Sequence, residues 1–255
     1  MNKLQRYVTL AVLPLLLAFP GSSQDKAKDK GKDKDPGITR EQADEILNEL
    51  RQIRQLLERQ TANAAPARPQ EPQRAKLNLD GVQMLGSKDA PLTMVEFTDY
   101  QCPFCQRFHV AVFNELKKNY IDTGKLRFYS RDLPLDALHP NANRAAVAAR
   151  CAAEQGQFWK LRDWMGANPD KLDLGGIISA AAGMNMNTDA LKSCIESDKY
   201  KNAIQNDILE AAKIGADGTP TFVIGKSTPT GVEGEVLVGA QPYPAFEQKL
   251  KQLGQ

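Results

Sequence analysis

Hydrophobic and polar positions change their rhythm several times along the chain. Tyr7–Phe19 run almost without polar groups, and residues 24–37 are Lys, Asp and Gly with almost nothing apolar. The second stretch cannot bury enough surface to offset its ordering entropy, so it is expected to be a disordered spacer. Ile46, Leu50, Ile53 and Leu57 then recur at spacings of four, three and four. That is an a/d seam on an amphipathic helix, and Thr39 with Gln42 three residues on is its capping-box start. The seam suits an oligomerising arm, although a helix packed on its own domain would carry the same pattern. Thr61–Arg74, with Pro66, Pro69 and Pro72 and no large apolar residue, reads as an extended linker.

The body is expected from about Lys76. Leu92–Thr98 (LTMVEFT) is a short apolar run suited to a buried strand. A helix follows from Cys102-Pro103, in which Phe104, Phe108, Val112 and Leu116 repeat every fourth residue. Lys125–Ser130 reads as the next strand, which makes a βαβ unit and a parallel pair. Residues 139–214 read as consecutive helices with stops at Gly156, Asn168–Pro169 and Gly183–Asn187. Thr221–Gly225 and Gly234–Gly239 return to strand as a hairpin around a turn-rich loop, Lys226–Glu233. Pro242–Leu253 closes as a helix with Pro244 in its first turn. The fold class is α/β, with the sheet completed only after a helical block at about 137–214.

Composition changes this picture little. The chain has 255 residues, 42% hydrophobic, with net charge +2, which gives no reason to expect a nucleic-acid partner. The opening does change it. Lys3 and Arg6 precede the apolar run, which falls short of the ~20 residues that span a bilayer. Gly21 and Ser23 stand at the −3 and −1 positions of a cut before Gln24. Residues 1–23 are therefore expected to be a signal peptide, against an uncleaved anchor, and the protein to be exported to the periplasm or cell envelope. Four cysteines in an oxidising compartment favour disulfides over metal.

Cys102-Pro103-Phe104-Cys105 lies between a buried strand and a helix. Unpaired N–H groups and the positive end of the helix dipole stabilise a thiolate there, and the thiolate is the attacking species in disulfide exchange. Cys102 is thus the candidate nucleophile, and Cys105, one turn deeper, the resolving thiol. Zinc would want four ligands; His109 could add one, and no fourth is evident. Haem attachment needs His directly after the second Cys, where Gln106 stands. No metal or cofactor is expected.

Val95–Cys105 (VEFTDYQCPFC) resembles the active-site segment of the DsbA-like branch of the thioredoxin superfamily. Gly218–Phe222 (GTPTF) resembles that family's cis-proline loop, the helical block its inserted helical domain, and Gly239–Tyr243 with the closing helix its C-terminal end. The likeness spans about residues 79–253. It implies a thioredoxin fold with an inserted helical domain, here preceded by the amphipathic helix and Pro-rich linker (24–75). It implies a cis bond before Pro220, with Thr219, Pro103 and Phe104 meeting an extended substrate; the residues alone would equally allow a trans proline at a strand start. Glu96, the one charge in LTMVEFT, occupies the place of the family's buried acid and would exchange a proton with Cys105; facing solvent, it would be an ordinary strand residue. Cys151 and Cys194 occupy the helical block where the family often carries a structural disulfide. His139 suits a helix start, with a tuning role as the alternative. Phe104 departs from the histidine that many members carry between the cysteines, and so removes one cationic aid to the thiolate.

The implied function is disulfide exchange with cysteine-containing exported proteins, as an oxidase recharged by a membrane redox partner. An oligomeric isomerase or reductase, assembled as a homo-oligomer through residues 39–60, is the alternative. A peptide-binding chaperone without redox turnover is the alternative of another class.

Overall fold

The computed structural model describes residues 38–63 and 73–255. The expected signal segment, the spacer to residue 37 and linker residues 64–72 lie outside the described residues. The chain divides into two units, the first up to Arg68 and the second from Pro69.

In the first unit, Arg40–Asn63 forms α1. The Gln42 N–H donates to Thr39 Oγ1 (3.2 Å) and the Thr39 N–H to Gln42 Oε1 (3.0 Å), the reciprocal pair of a capping box. Ile46, Leu50, Ile53 and Leu57 are each about half exposed, between 48% and 57%.

The second unit is built on a six-stranded sheet in the order β1-β6-β5-β3-β4-β2. Its strands are β1 (Arg74–Asn78), β2 (Met84–Leu85), β3 (Leu92–Thr98), β4 (Leu126–Asp132), β5 (Thr221–Thr228) and β6 (Gly231–Val238). β3 and β4 are parallel and every other pair is antiparallel. The central strand β3 is buried at all its positions, so each face needs an apolar cover. On one face Leu92 and Met94 join Phe128, Phe222 and Ile224 beneath Phe108, Val112 and Leu116. On the other, Val95 and Phe97 meet Tyr129, Val223 and Ala211. Period-two alternation puts Glu96 on the first face.

The helix after Cys102 is not regular. It begins as α2 (Pro103–Phe108), widens to a π-helix over His109–Phe113, narrows at α3 (Asn114–Leu116) and widens again over Lys117–Ile121. The strict four-residue spacing of Phe108, Val112, Leu116 and Tyr120 is the trace of this. A 3.6-residue helix would let such a row drift off the core, whereas π turns, with their i→i+5 bonds, hold it in line.

The inserted helices are α4 (Ala142–Ala153), α5 (Phe158–Ala167), α6 (Leu174–Gly183), α7 (Thr188–Ile195) and α8 (Lys201–Lys213). They enclose a core of their own around Ala145, Ala148, Ala149, Leu161, Met165 and Leu191. The alanine-rich face of α4 lets its neighbours approach closely. Cys151 on α4 and Cys194 on α7 form a disulfide across this layer, with Cα atoms 5.9 Å apart. Arg131 and Asp132 of β4, Arg150 of α4 and Asp207 of α8 form a buried ion network that ties the layer to the sheet. α9 (Tyr243–Leu253) closes the fold, with Pro242 as its N-cap.

Three sequence expectations are corrected. The hairpin loop predicted at Lys226–Glu233 is strand except for a two-residue turn at Pro229-Thr230, because Ser227 and Thr228 pair with Val232 and Gly231. The Arg127 guanidinium pins that turn by donating to the Thr228 and Gly231 carbonyls, both at 2.8 Å. The strand predicted at Lys125–Ser130 runs from Leu126 to Asp132. The body begins before Lys76: β1 starts at Arg74, the Gln73 amide donates to the Ile214 carbonyl (2.8 Å), and the Gln73 carbonyl accepts from Val236 N–H (2.7 Å). The short alternating strand RAKLN starts on the last residue expected in the linker, and its polar residues hide it in the sequence.

The Cys151–Cys194 link closes a separation of 43 residues, for which chain entropy gives about 4 kcal/mol. Replacing both by Ala is expected to lower the unfolding free energy by an amount approaching that figure, read as a lower denaturant midpoint. Equilibrium unfolding of the double variant checks this; an unchanged midpoint would assign the link no stabilising role.

Candidate active site

The parallel β3–β4 pair delivers the chain to the cysteine turn. After Thr98 the chain leaves the sheet, and the Cys102 N–H donates to the Asp99 carbonyl (3.1 Å). Cys102 is the N-cap of α2, in extended conformation, with Pro103 in the first turn. Proline suits that place because no N–H is needed there. Pro103 and Phe104 face outward, Phe104 52% exposed, while Cys102 and Cys105 are buried free thiols. The Arg107 guanidinium lies 5.3 Å from the Phe104 ring.

The Thr219–Pro220 bond is cis. This loop lies against the cysteine turn, with Cys102 Sγ 3.5 Å from the Thr219 carbonyl oxygen. The Pro220 carbonyl accepts from Gly239 N–H at 2.8 Å, and Thr221 Oγ1 donates to the Gly218 carbonyl at 2.7 Å. The fold thus brings Cys102, Cys105, Thr219 and Pro220 together from two chain regions over a hundred residues apart.

The two thiols are strongly unequal. A hydrogen bond from the Cys105 thiol, followed by contributions from Thr219 and the N–H groups of Cys105 and Phe104, brings Cys102 down to about 5 against the opposing effect of burial. No cation is needed, so the absence of histidine at Phe104 leaves the thiolate supported. Burial, the hydrogen bond to Cys102 and the charge of Glu96 hold Cys105 well above the ordinary thiol range.

Glu96 lies between Ser130 of β4 and Phe222 of β5 and is 1% exposed. Arg162 of α5 meets it at 2.5 Å. Burial pushes the Glu96 carboxyl up, and Arg162 pulls it the other way. Glu96, Tyr100, Cys105, His109, Arg162 and Gly166 line one small cavity beneath the cysteines. Burial, and then the Arg162 charge, lower His109 to about 4, so the ring is neutral at pH 7. The His109 ring packs on Gly166 so closely that a Cβ there would stand 2.9 Å from it.

Two residues of this site were not singled out in the sequence. Asp99, whose side chain is fully buried, accepts from the N–H groups of Gln101 (2.8 Å) and Leu135 (2.9 Å) and contacts His139 Nδ1 at 2.7 Å. It splints the cysteine turn to the segment leading into α4, and Gln101 adds a bond from Asn141 N–H at 2.8 Å. An acid three residues before the first cysteine of the Cys-x-x-Cys turn is the available signal for Asp99, and it explains His139 at the helix start. Arg162 is the other. Nothing in its local sequence says that it is buried, because its partner is distant in the chain. Cys151 and Cys194 lie in the helical layer and take no part in the site.

Cys102 is therefore expected to react with iodoacetamide along a titration centred near pH 5, with Cys105 silent across the same range. The sign for stability follows: a thiol lowered on folding stabilises the reduced protein fully above its unfolded value near 9, and that gain is lost as pH falls through 5. Alkylation rates and reduced-form unfolding between pH 4 and 9 check both. A Cys102 midpoint near 8 would contradict the hydrogen-bonded thiolate.

The thioredoxin family profile matches residues 79–232. The crystal structure of α-DsbA1 from Wolbachia pipientis is 29% identical, with a TM-score of 0.63 over 70% of this chain and 93% of that one. Oxidised BdbD from Bacillus subtilis gives the same TM-score at 21% identity, covering 72% of this chain and 98% of that one, a likeness of fold. In sequence, the chain is 33% identical over 139 residues to the Na(+)/H(+) antiporter NhaA 3 of Salinispora tropica, which is 54% of this chain and 21% of that protein. The chain spans about a fifth of the length of the curated relatives it matches. Among the described residues no helix is long and apolar enough to cross a membrane. With one profile running through the sheet, the cysteine turn and the helical insertion alike, the chain belongs to the thioredoxin family, among its DsbA-like members.

Proposed function

We propose that the protein is an exported thiol:disulfide oxidoreductase that donates the Cys102–Cys105 disulfide to cysteine-containing client proteins. The inequality of the two thiols carries this reading. A reduced form stabilised by a thiolate at Cys102 makes the corresponding disulfide easy to reduce, and so a good donor. In the donating direction a client thiolate attacks Cys102 Sγ, the bond to Cys105 breaks, and Cys105 leaves with the electron pair. Because Cys105 holds its proton tightly, it is a poor thiolate and needs an acid beside it, the role assigned to Glu96. The second client thiolate then attacks the client sulfur of the mixed disulfide and releases Cys102 as a thiolate. Two client thiols are oxidised and the protein disulfide is reduced. Recharging runs the same steps backward against a disulfide of a membrane partner, with Glu96 taking the Cys105 proton.

Client positioning falls to the cis-proline loop. Thr219 would pair main chain with an extended client segment, in the manner of an added strand, while exposed Pro103 and Phe104 give it an apolar floor. The Cys151–Cys194 bond is assigned a structural role. A passive chaperone would have no use for a nucleophile held at about 5.

The half-exposed seam of α1 supports a second reading, an isomerase that surrounds one client with several catalytic units. Ile46, Leu50 and Ile53 on a 24-residue helix suit pairing with further copies of the same chain.

Oxidised protein is expected to oxidise a reduced two-cysteine peptide rapidly. Cys102→Ser and Cys105→Ser should each abolish this, the Cys102 thiolate of Cys105→Ser should instead be trapped as a mixed disulfide when it attacks a disulfide-bonded peptide and releases the other peptide sulfur as a thiolate, and Glu96→Gln should slow turnover on the order of 10²-fold. Slow oxidation by the unaltered protein would count against the donor role. For the second reading, Leu50→Asp with Ile53→Asp is expected to reduce the mass in sedimentation and to abolish reactivation of a scrambled protein while peptide oxidation persists. An unchanged mass would assign the seam elsewhere.

A further inference from the structure

Arg162 has no part in the exchange chemistry as written, yet it is among the most deeply placed cations of the described chain, its side chain 3% exposed. It belongs to the helical insertion, not to the sheet that carries Glu96 and the cysteines. Its guanidinium lies 4.7 Å from the Phe113 ring and 5.3 Å from the rings of Phe128 and Trp159. It therefore faces aromatic rings from the π turn, from β4 and from its own helix, and its Nη2 meets Glu96 Oε2. Nε reaches Ser130 Oγ at 3.4 Å, and Nη1 reaches half-exposed Asp163 at 3.3 Å.

We propose that Arg162 is a positioning residue that holds Glu96 as the exchangeable proton partner of Cys105, so that the helical insertion governs proton transfer in the thioredoxin sheet. This rests on the reading that Glu96 serves Cys105. A carboxyl buried alone keeps its proton. A carboxylate locked to a cation takes one only well below neutral pH. An acid that must both give and receive has to stand between, and here burial and Arg162 act on Glu96 in opposite directions.

The other groups facing Glu96 leave Arg162 as its only cation among the described residues. β3 contributes Thr98, and α2 contributes Cys102 and Cys105. The π turn contributes His109, neutral at pH 7, and β4 contributes Ser130, with Asp132 acting at Tyr100. β5 places only Phe222 opposite.

The test is the pH dependence of mixed-disulfide resolution by Cys105, followed in the full-length protein with a peptide attached to Cys102. Arg162→Met is expected to move the midpoint alkaline by about one pH unit or more, without moving the Cys102 alkylation profile, and Arg162→Lys to restore it. In a Glu96→Gln background Arg162→Met should add nothing, because the group it acts through is gone. Should Arg162→Met fail to fold, Arg162→Gln, which keeps a hydrogen bond without the charge, carries the same expectation. A uniform loss of rate with an unmoved midpoint, or an equal shift in the Glu96→Gln background, would overturn the inference. If Glu96→Gln moves the profile and the Arg162 variants do not, the inference alone fails. If Glu96→Gln leaves the profile unmoved, the role of Glu96 fails and takes the inference with it.

Discussion

A carboxyl group set into a strand that is covered on both sides cannot be left to itself. Glu96 sits in the middle strand of the sheet, and the nearest water-like partner the fold offers is a guanidinium from another layer. Removing either member of such a buried pair leaves a desolvated charge, which costs several kcal/mol. The helical insertion is thereby obliged to dock where it does. α5 must present Arg162 to β3, Gly166 must let the His109 ring lie against the same helix, and Phe113, Phe128 and Trp159 must close around the cation. The Arg131–Asp207 and Arg150–Asp132 pairs add ionic ties at the two positions of β4 that follow Ser130, the residue opposite Glu96. These ionic contacts, with the alanine-rich face of α4, fix one orientation of the insertion over the cysteines.

That orientation gives the two sulfurs different surroundings. Cys102 caps a helix, close to N–H donors and the cis-proline loop, where negative charge is welcome. Cys105, one turn further in, faces a carboxylate and apolar side chains, where it is not. The difference comes from depth and not from any change in residue type. Asp99 keeps it in place, because the turn that sets the depth is bonded to the segment leading into α4.

The architecture was largely legible in the sequence. The apolar run LTMVEFT, the Cys-x-x-Cys turn and the Ala-rich block each carry a local signal strong enough to name the element. The α/β sheet and helical insertion follow from their order, and the capping box at Thr39 and Gln42 fixes where α1 begins. What escaped was long-range. β1 is a strand only because β6 offers it a ladder, and RAKLN has no apolar run of its own. The ends of β5 and β6 lie among turn-forming residues, and they pair because Arg127 secures the turn between them. Arg162 and Asp99 look like surface charges until the packing of α5 and the start of α4 is known. The cysteines and the proline loop could be named from motifs; the cation that accompanies them could not.

The alternation of α and π turns after Cys105 ties the two ends of this helix to its winding. Its row of buried residues is straight because each repeat spends four residues where a regular α-helix would spend 3.6. Were the segment to rewind as a regular coil with all its residues kept, each four-residue repeat would overshoot a full turn by about 40°. Phe108 would leave the sheet, and the sulfur of Cys105 would turn away from the carboxyl below it. The spare residue in each wide turn therefore acts as a phase spacer, keeping the reactive end of the helix and its anchoring end facing the same way.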